Sequence, residues 1–164
     1  MKSIQLNLVL IILAFSVFAS CAKEEDGIYF DEINEVKVNY STLELDILNL
    51  VNAHRESKGI QSLENLNIIS SVALSHTSYM VETGLVNHDN FPERNENLVV
   101  QANAKAVGEN VAYGFNSAEG VVEAWLRSDE HREILENSSY THFGISTEKN
   151  ADGRNYFTQI FIKR

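Results

Sequence analysis

The chain has 164 residues, with 13 Lys and Arg against 23 Asp and Glu and a formal net charge of −10. At 44% hydrophobic residues it carries enough apolar side chain for one packed domain. The acidic balance argues against nucleic acid as a partner, which requires clustered Lys and Arg, and a single Cys excludes both a disulfide framework and a cysteine-rich zinc module.

Met1-Lys2-Ser3 is a short basic start, and the twelve residues from Leu8 to Ala19 are apolar except for Ser16. A bilayer span takes about 20 apolar residues, so the run reads as the core of a signal peptide covering residues 1–20. It ends in Phe18-Ala19-Ser20-Cys21. Two small residues before a cysteine resemble a bacterial lipobox, here with Phe18 where Leu is commonest. Cys21 is therefore the candidate lipidation site, and acyl chains on its thiol are expected to hold the protein on a membrane. Residues 21–40 show no sustained period. Lys23-Glu24-Glu25-Asp26-Gly27 is solvated, Ile28-Tyr29-Phe30 either docks or hangs free, and the segment reads as a tether.

The domain proper is expected over residues 41–164. Ser41 and Glu44 form a capping box, after which Leu43, Ile47, Leu50, Val51 and His54 recur at helical spacing until Gly59. A second helix is predicted from Asn67 to Thr83, with Ile69, Val72, Ala73, His76 and Met80 on one face and Gly84 as its stop. Gly114 to Gly120 is a turn-rich link, and Ser117 to Ser128 reads as a shorter helix carrying Val121, Val122 and Trp125. Phe143–Ser146 and Tyr156–Ile162 are rich in β-branched and aromatic residues, and Asn150-Ala151-Asp152-Gly153 between them predicts an antiparallel hairpin. Helices grouped apart from an antiparallel sheet indicate an α+β layered domain.

Three residues stand out for chemistry. His88 lies in a loop past a helix stop, Glu109 in Gly108-Glu109-Asn110 enters an apolar stretch, and His131 opens a short apolar turn. Two imidazoles and a carboxylate are the donors of an open zinc site, although more than twenty residues separate each from the next. The plain alternatives are a surface-loop role for His88, an exposed Glu109, and a helix cap or an ion pair with Glu130 for His131. His54 and His76 fall on apolar helix faces and read as hydrogen-bonded core residues. No His-Glu-x-x-His helix, Gly-x-Ser-x-Gly elbow or phosphate-cradling glycine loop is present.

Asn52-x-x-Arg55, Met80 before Gly84 and His88, Gly108-Glu109-Asn110, Trp125, Ser128-Asp129-Glu130-His131-Arg132 and the strand from Tyr156 to Phe161 follow one order. That order resembles the CAP superfamily of cysteine-rich secretory, antigen 5 and pathogenesis-related 1 proteins, in its bacterial cysteine-free branch, over roughly Leu43 to Ile162. The resemblance implies an α-β-α sandwich with a central antiparallel sheet and a cleft lined by two His and acidic residues. It also implies a divalent metal such as Zn2+ in some relatives, and sterols or other lipids as ligands of others. His88 and His131 match the cleft histidines and Glu109 the Gly-Glu-Asn glutamate. Where animal and plant relatives often place a second Glu, this chain has Ser128, with Glu123 and Glu130 as the nearby carboxylates. That departure counts against proteolysis.

Three functional expectations follow from the sequence. The first is a non-enzymatic, lipid-anchored extracytoplasmic module of the bacterial periplasm or cell surface. Its cleft takes a divalent metal, a small apolar ligand of lipid or sterol type, or a cell-wall component. The second is a metal-assisted hydrolase acting on peptides or envelope polymers, with Glu109 or Glu130 as base. The third is a purely structural interaction domain. All depend on whether His88, Glu109 and His131 converge in one solvent-connected cleft.

Overall fold

A computed structural model describes residues 33–164; the predicted signal peptide, the candidate lipidation site Cys21 and the first part of the expected tether lie outside the described residues. From Ile33 to Tyr40 the chain has no regular secondary structure and is held against two helices. Asn67 Oδ1 accepts from the Val38 N–H at 3.1 Å, Asn67 Nδ2 donates to the Val36 carbonyl at 2.7 Å, and Asn97 Oδ1 accepts from the Ile33 N–H at 3.3 Å.

Helix α1 (Thr42–Ser57) starts on the expected capping box, with both reciprocal bonds present, and Gly59 at φ +72° follows its end. After the two-residue strand β1 (Glu64–Asn65), α2 (Asn67–Thr83) runs to a left-handed Gly84, on the predicted boundaries. Next come α3 (Phe91–Ala102), β2 (Ala106–Tyr113), α4 (Ala118–Arg127), α5 (Asp129–Leu135) and the hairpin β3 (His142–Lys149) and β4 (Asn155–Lys163). Among the described residues no helix is long and apolar enough to cross a membrane.

The strands form one sheet in the order β1-β3-β4-β2. β2, β4 and β3 are antiparallel, as expected, but β1 pairs parallel with β3, so the sheet is mixed. Central β4 is buried along nearly its whole length because both faces are covered. Its Phe157 and Phe161 pack with α1 and α4 around Val51, Val121 and Trp125, while Ile160 and Ile162 pack with α2 and α3 around Ile69, Val72 and Leu98. The α-β-α sandwich follows from this alternation.

Two positions show how closely the layers approach. A Cβ on Gly144 would sit 2.5 Å from the Ser70 backbone N and 2.8 Å from the Ile69 carbonyl carbon, so α2 rests directly on β3. On the other face, fully buried Arg55 of α1 donates to the carbonyls of Gln61, Leu135, Asn137 and Tyr140 at 2.6–3.3 Å. It ties α1 to the end of α5 and the start of β3.

Gly144→Ala must displace the α2 backbone rather than a flexible side chain. It is expected to destabilise the domain by about 1–3 kcal/mol, read as a lower urea midpoint at unchanged m-value. Gly59→Ala, with open space around its Cβ, carries only the cost of left-handed backbone, about 1 kcal/mol.

Candidate functional site

β2 is an edge strand, and its alternation decides what each face receives. Ala112 joins the α1 and α4 layer, and Asn110 Nδ2 reaches the His131 carbonyl on α5 at 3.2 Å. Glu109 therefore turns to the opposite face, towards α2 and α3.

There its side chain is 1% exposed and accepts three hydrogen bonds. Arg94 of α3 binds it bidentately, Nε to Oε2 at 2.7 Å and Nη2 to Oε1 at 2.7 Å. His88 Nδ1 lies 2.8 Å from Oε1. Burial alone pushes the Glu109 carboxyl up, but the hydrogen bonds from His88 and Arg94 and the Arg94 charge outweigh it and hold its pKa below the ordinary value. Arg94 is itself fixed by the Asp89 carbonyl at 2.6 Å and lies over the Phe91 ring at 5.8 Å.

The bond to an ionised carboxylate assigns the proton of His88 to Nδ1 and leaves Nε2 with its lone pair. The His88 side chain is 51% exposed, so that acceptor is open to solvent. Its loop is pinned from behind by His76 of α2, whose Nε2 donates to the Asn87 carbonyl at 2.8 Å. Although His76 Nε2 stands 3.9 Å from Glu109 Oε1, its proton is already given to Asn87. Burial and the Arg94 charge lower its pKa, so it is a neutral core histidine and not an ion-pair partner.

These groups form one wall of a cleft of about 330 Å³ at the β2 edge. His88 and Phe91 stand on one side, Ile134 and Tyr140 on the other, and the backbone of Val107–Glu109 forms the floor. Gly108 is needed there, since a Cβ would sit 2.5 Å from the Tyr140 hydroxyl.

Of the expected site residues, His88 and Glu109 meet and line the cleft. His131 stands beside the cleft and not among its lining residues, on the same face of α5 as Ile134 three positions on. Burial lowers its pKa. Glu123 is exposed, pairs with Arg127 at 3.4 Å, and borders a separate hollow with Leu50 and Val122. Glu130 is exposed, and Ser128 is the joint between α4 and α5; none of these three reaches the cleft.

A three-ligand metal centre does not fit this arrangement. The Glu109 carboxylate is buried and held bidentately by Arg94, which already supplies the neutralising charge, and among the described residues no group of three or more His, Cys, Asp or Glu side chains is placed to hold a metal ion. Glu109 is a positioning carboxylate that sets the tautomer of His88. Arg94 was not singled out in the sequence. Its signals were Pro92 in the first turn of α3 and the i, i+4, i+8 spacing of Arg94, Leu98 and Ala102.

Comparison with known proteins shows the family and the fold. The membrane protein YlbC of Bacillus subtilis (strain 168), itself uncharacterised, is 36% identical over 129 residues, covering 76% of this chain and 35% of YlbC. YkwD of the same organism is 27% identical over 74% of this chain and 48% of its own length. The chain thus spans a third to a half of these relatives. Among solved structures, an outer surface protein from Borrelia burgdorferi shares the fold with a TM-score of 0.69 at 22% identity, over 80% of this chain and 99% of that one. The model of the cysteine-rich secretory protein (CAP) family matches residues 48–161, and the chain belongs to that family.

Proposed function

We propose that the chain is a lipid-anchored, extracytoplasmic ligand-binding domain of the bacterial envelope, whose His88 cleft binds and does not hydrolyse. The observation that carries this reading is the state of Glu109: its side chain is 1% exposed, Arg94 and His88 hold its pKa below the ordinary value and make it a weak base, and no other carboxylate lines the cleft among the described residues. What the cleft offers is one well-oriented acceptor, His88 Nε2, between apolar walls of Phe91, Ile134 and Tyr140. A cavity at the small end of the ligand-site range suits a compact group with an apolar body and one polar end. A divalent cation enters this reading only if the His88 and His131 imidazoles ligate it, with Glu109 behind His88 as its orienting carboxylate. The signal peptide and Cys21 supply the anchor. Outer-surface, extracellular and membrane relatives agree with that location.

The cleft reading is tested by NMR with decanoate as probe. Signals of His88, Phe91, Ile134 and Tyr140 are expected to shift together in the wild type and to stay still in His88→Ala, while casein is left uncut by both. No shift at these residues, or turnover of casein that is lost in His88→Ala, overturns it.

The anchor is tested by partition of the protein expressed in bacterial membranes. Wild type is expected in the detergent phase with a mass increased by acyl groups, and Cys21→Ser in the aqueous phase.

The positioning role of Arg94 predicts a stability effect. Arg94→Met leaves the buried Glu109 charge without its main partner and is expected to cost about 3–5 kcal/mol in urea unfolding. The double variant Arg94→Met with Glu109→Met is expected to recover much of that loss, because the uncompensated charge is gone.

A further inference from the structure

The sheet has two outer edges, and the molecule treats them differently. β1 pairs with only the first two residues of β3, leaving the rest of that strand without a neighbouring strand. Its outward N–H groups are nevertheless closed by side chains: Ser70 Oγ accepts from the Ile145 N–H at 3.1 Å, and Glu44 Oε1 from the Thr147 N–H at 2.8 Å. Side chains that occupy edge donors are a known protection against unwanted strand pairing.

β2 forms the opposite edge. The Gly114 N–H donates to the Asn155 carbonyl at 2.8 Å, which sets the phase of the β2–β4 ladder. In that phase Gly108, Asn110 and Ala112 direct their backbone groups to β4, and Val107, Glu109 and Val111 direct theirs outward. Trp125 agrees independently, since its indole Nε1 donates to the outward Val111 carbonyl at 3.1 Å. One outward carbonyl is thus covered. At Val107 and Glu109, among the described residues, no partner takes the outward N–H or C=O groups. That open stretch is the floor of the cleft.

We propose that the His88 cleft recognises an extended peptide, which adds as a further strand along β2 at Val107 and Glu109. Donors and acceptors two residues apart on one edge repeat at about 6.8 Å, the period that another extended backbone presents. Alternate side chains of the guest point to opposite faces, so a residue whose backbone pairs at this edge directs its side chain towards either Phe91 and His88 or Ile134 and Tyr140. The contrast with β3 carries the argument: the edge away from the cleft is blocked by Ser70 and Glu44, and the edge within it is left open. This inference rests on reading the cleft as a binding site and names the class of its ligand.

The test uses the full chain, the blocked peptide acetyl-Thr-Val-Thr-Val-Thr-amide, and the same peptide with every amide N-methylated. Amide hydrogen exchange is followed by NMR. Saturating peptide is expected to slow exchange at Val107 and Glu109 at least tenfold and to leave Gly108 and Asn110, already bonded within the sheet, unchanged. The methylated peptide, which cannot donate, is expected to do neither. Equal binding of the two peptides with shifts at His88 overturns strand pairing while keeping the cleft as a binding site. Absence of binding by both overturns strand pairing, and the decanoate experiment then decides the cleft separately. Slow exchange at Val107 and Glu109 before any peptide is added also overturns it, because the edge is then already covered.

Discussion

The site depends on one buried charge. Glu109 sits on an edge strand with its side chain 1% exposed, and an ionised carboxylate is stable there only with its lone pairs filled and its charge matched. Those demands recruit Arg94 from α3 and His88 from the loop after α2, while His76 holds that loop through Asn87. One side chain on β2 therefore draws two separate segments to the same point. Because Arg94 matches the Glu109 charge, His88 contributes a hydrogen bond through Nδ1, and its other ring nitrogen faces solvent.

The parts of the fold legible in the sequence were those governed by local rules. The Ser41–Glu44 box, the glycine stops at Gly59 and Gly84, the Trp125 helix and the hairpin through Asn150–Gly153 each obey a short-range pattern. β1 was not legible, because two residues carry no period and pair only through contact with β3, far along the chain. α3 was missed for a different reason. Its inner face buries Arg94 and Asn97 beside Leu98 and Ala102 while Val99 and Val100 are exposed, so its apolar stripe is narrow and interrupted.

The candidate site divides in the same way. Gly108-Glu109-Asn110 and His88 were visible as residue types in suggestive places, and they do meet. The role of Glu109 was not visible, since it depends on which cation lies beside the carboxylate, and spacing along the chain says nothing of that. Glu123 and Glu130 illustrate the converse. They are near Trp125 and His131 in sequence, yet the helical turn sends them to solvent.

Two arginines hold the two walls of the cleft, by different chemistry. Arg94 fixes the His88 and Phe91 side through a carboxylate, a charge-assisted bidentate pair. Arg55 fixes the other side through carbonyls alone, three of which belong to Leu135, Asn137 and Tyr140. Burial lowers its pKa, and the carbonyls at the C-terminal end of α5 present the negative end of a helix dipole to it. Both guanidiniums are rigid forks, and each binds groups from segments distant in sequence, so each wall is set by the folded core and not by its own loop. A cleft held from both sides in this way is formed before any ligand arrives. The ordering of its walls is then part of folding, and a ligand loses only its own freedom on binding.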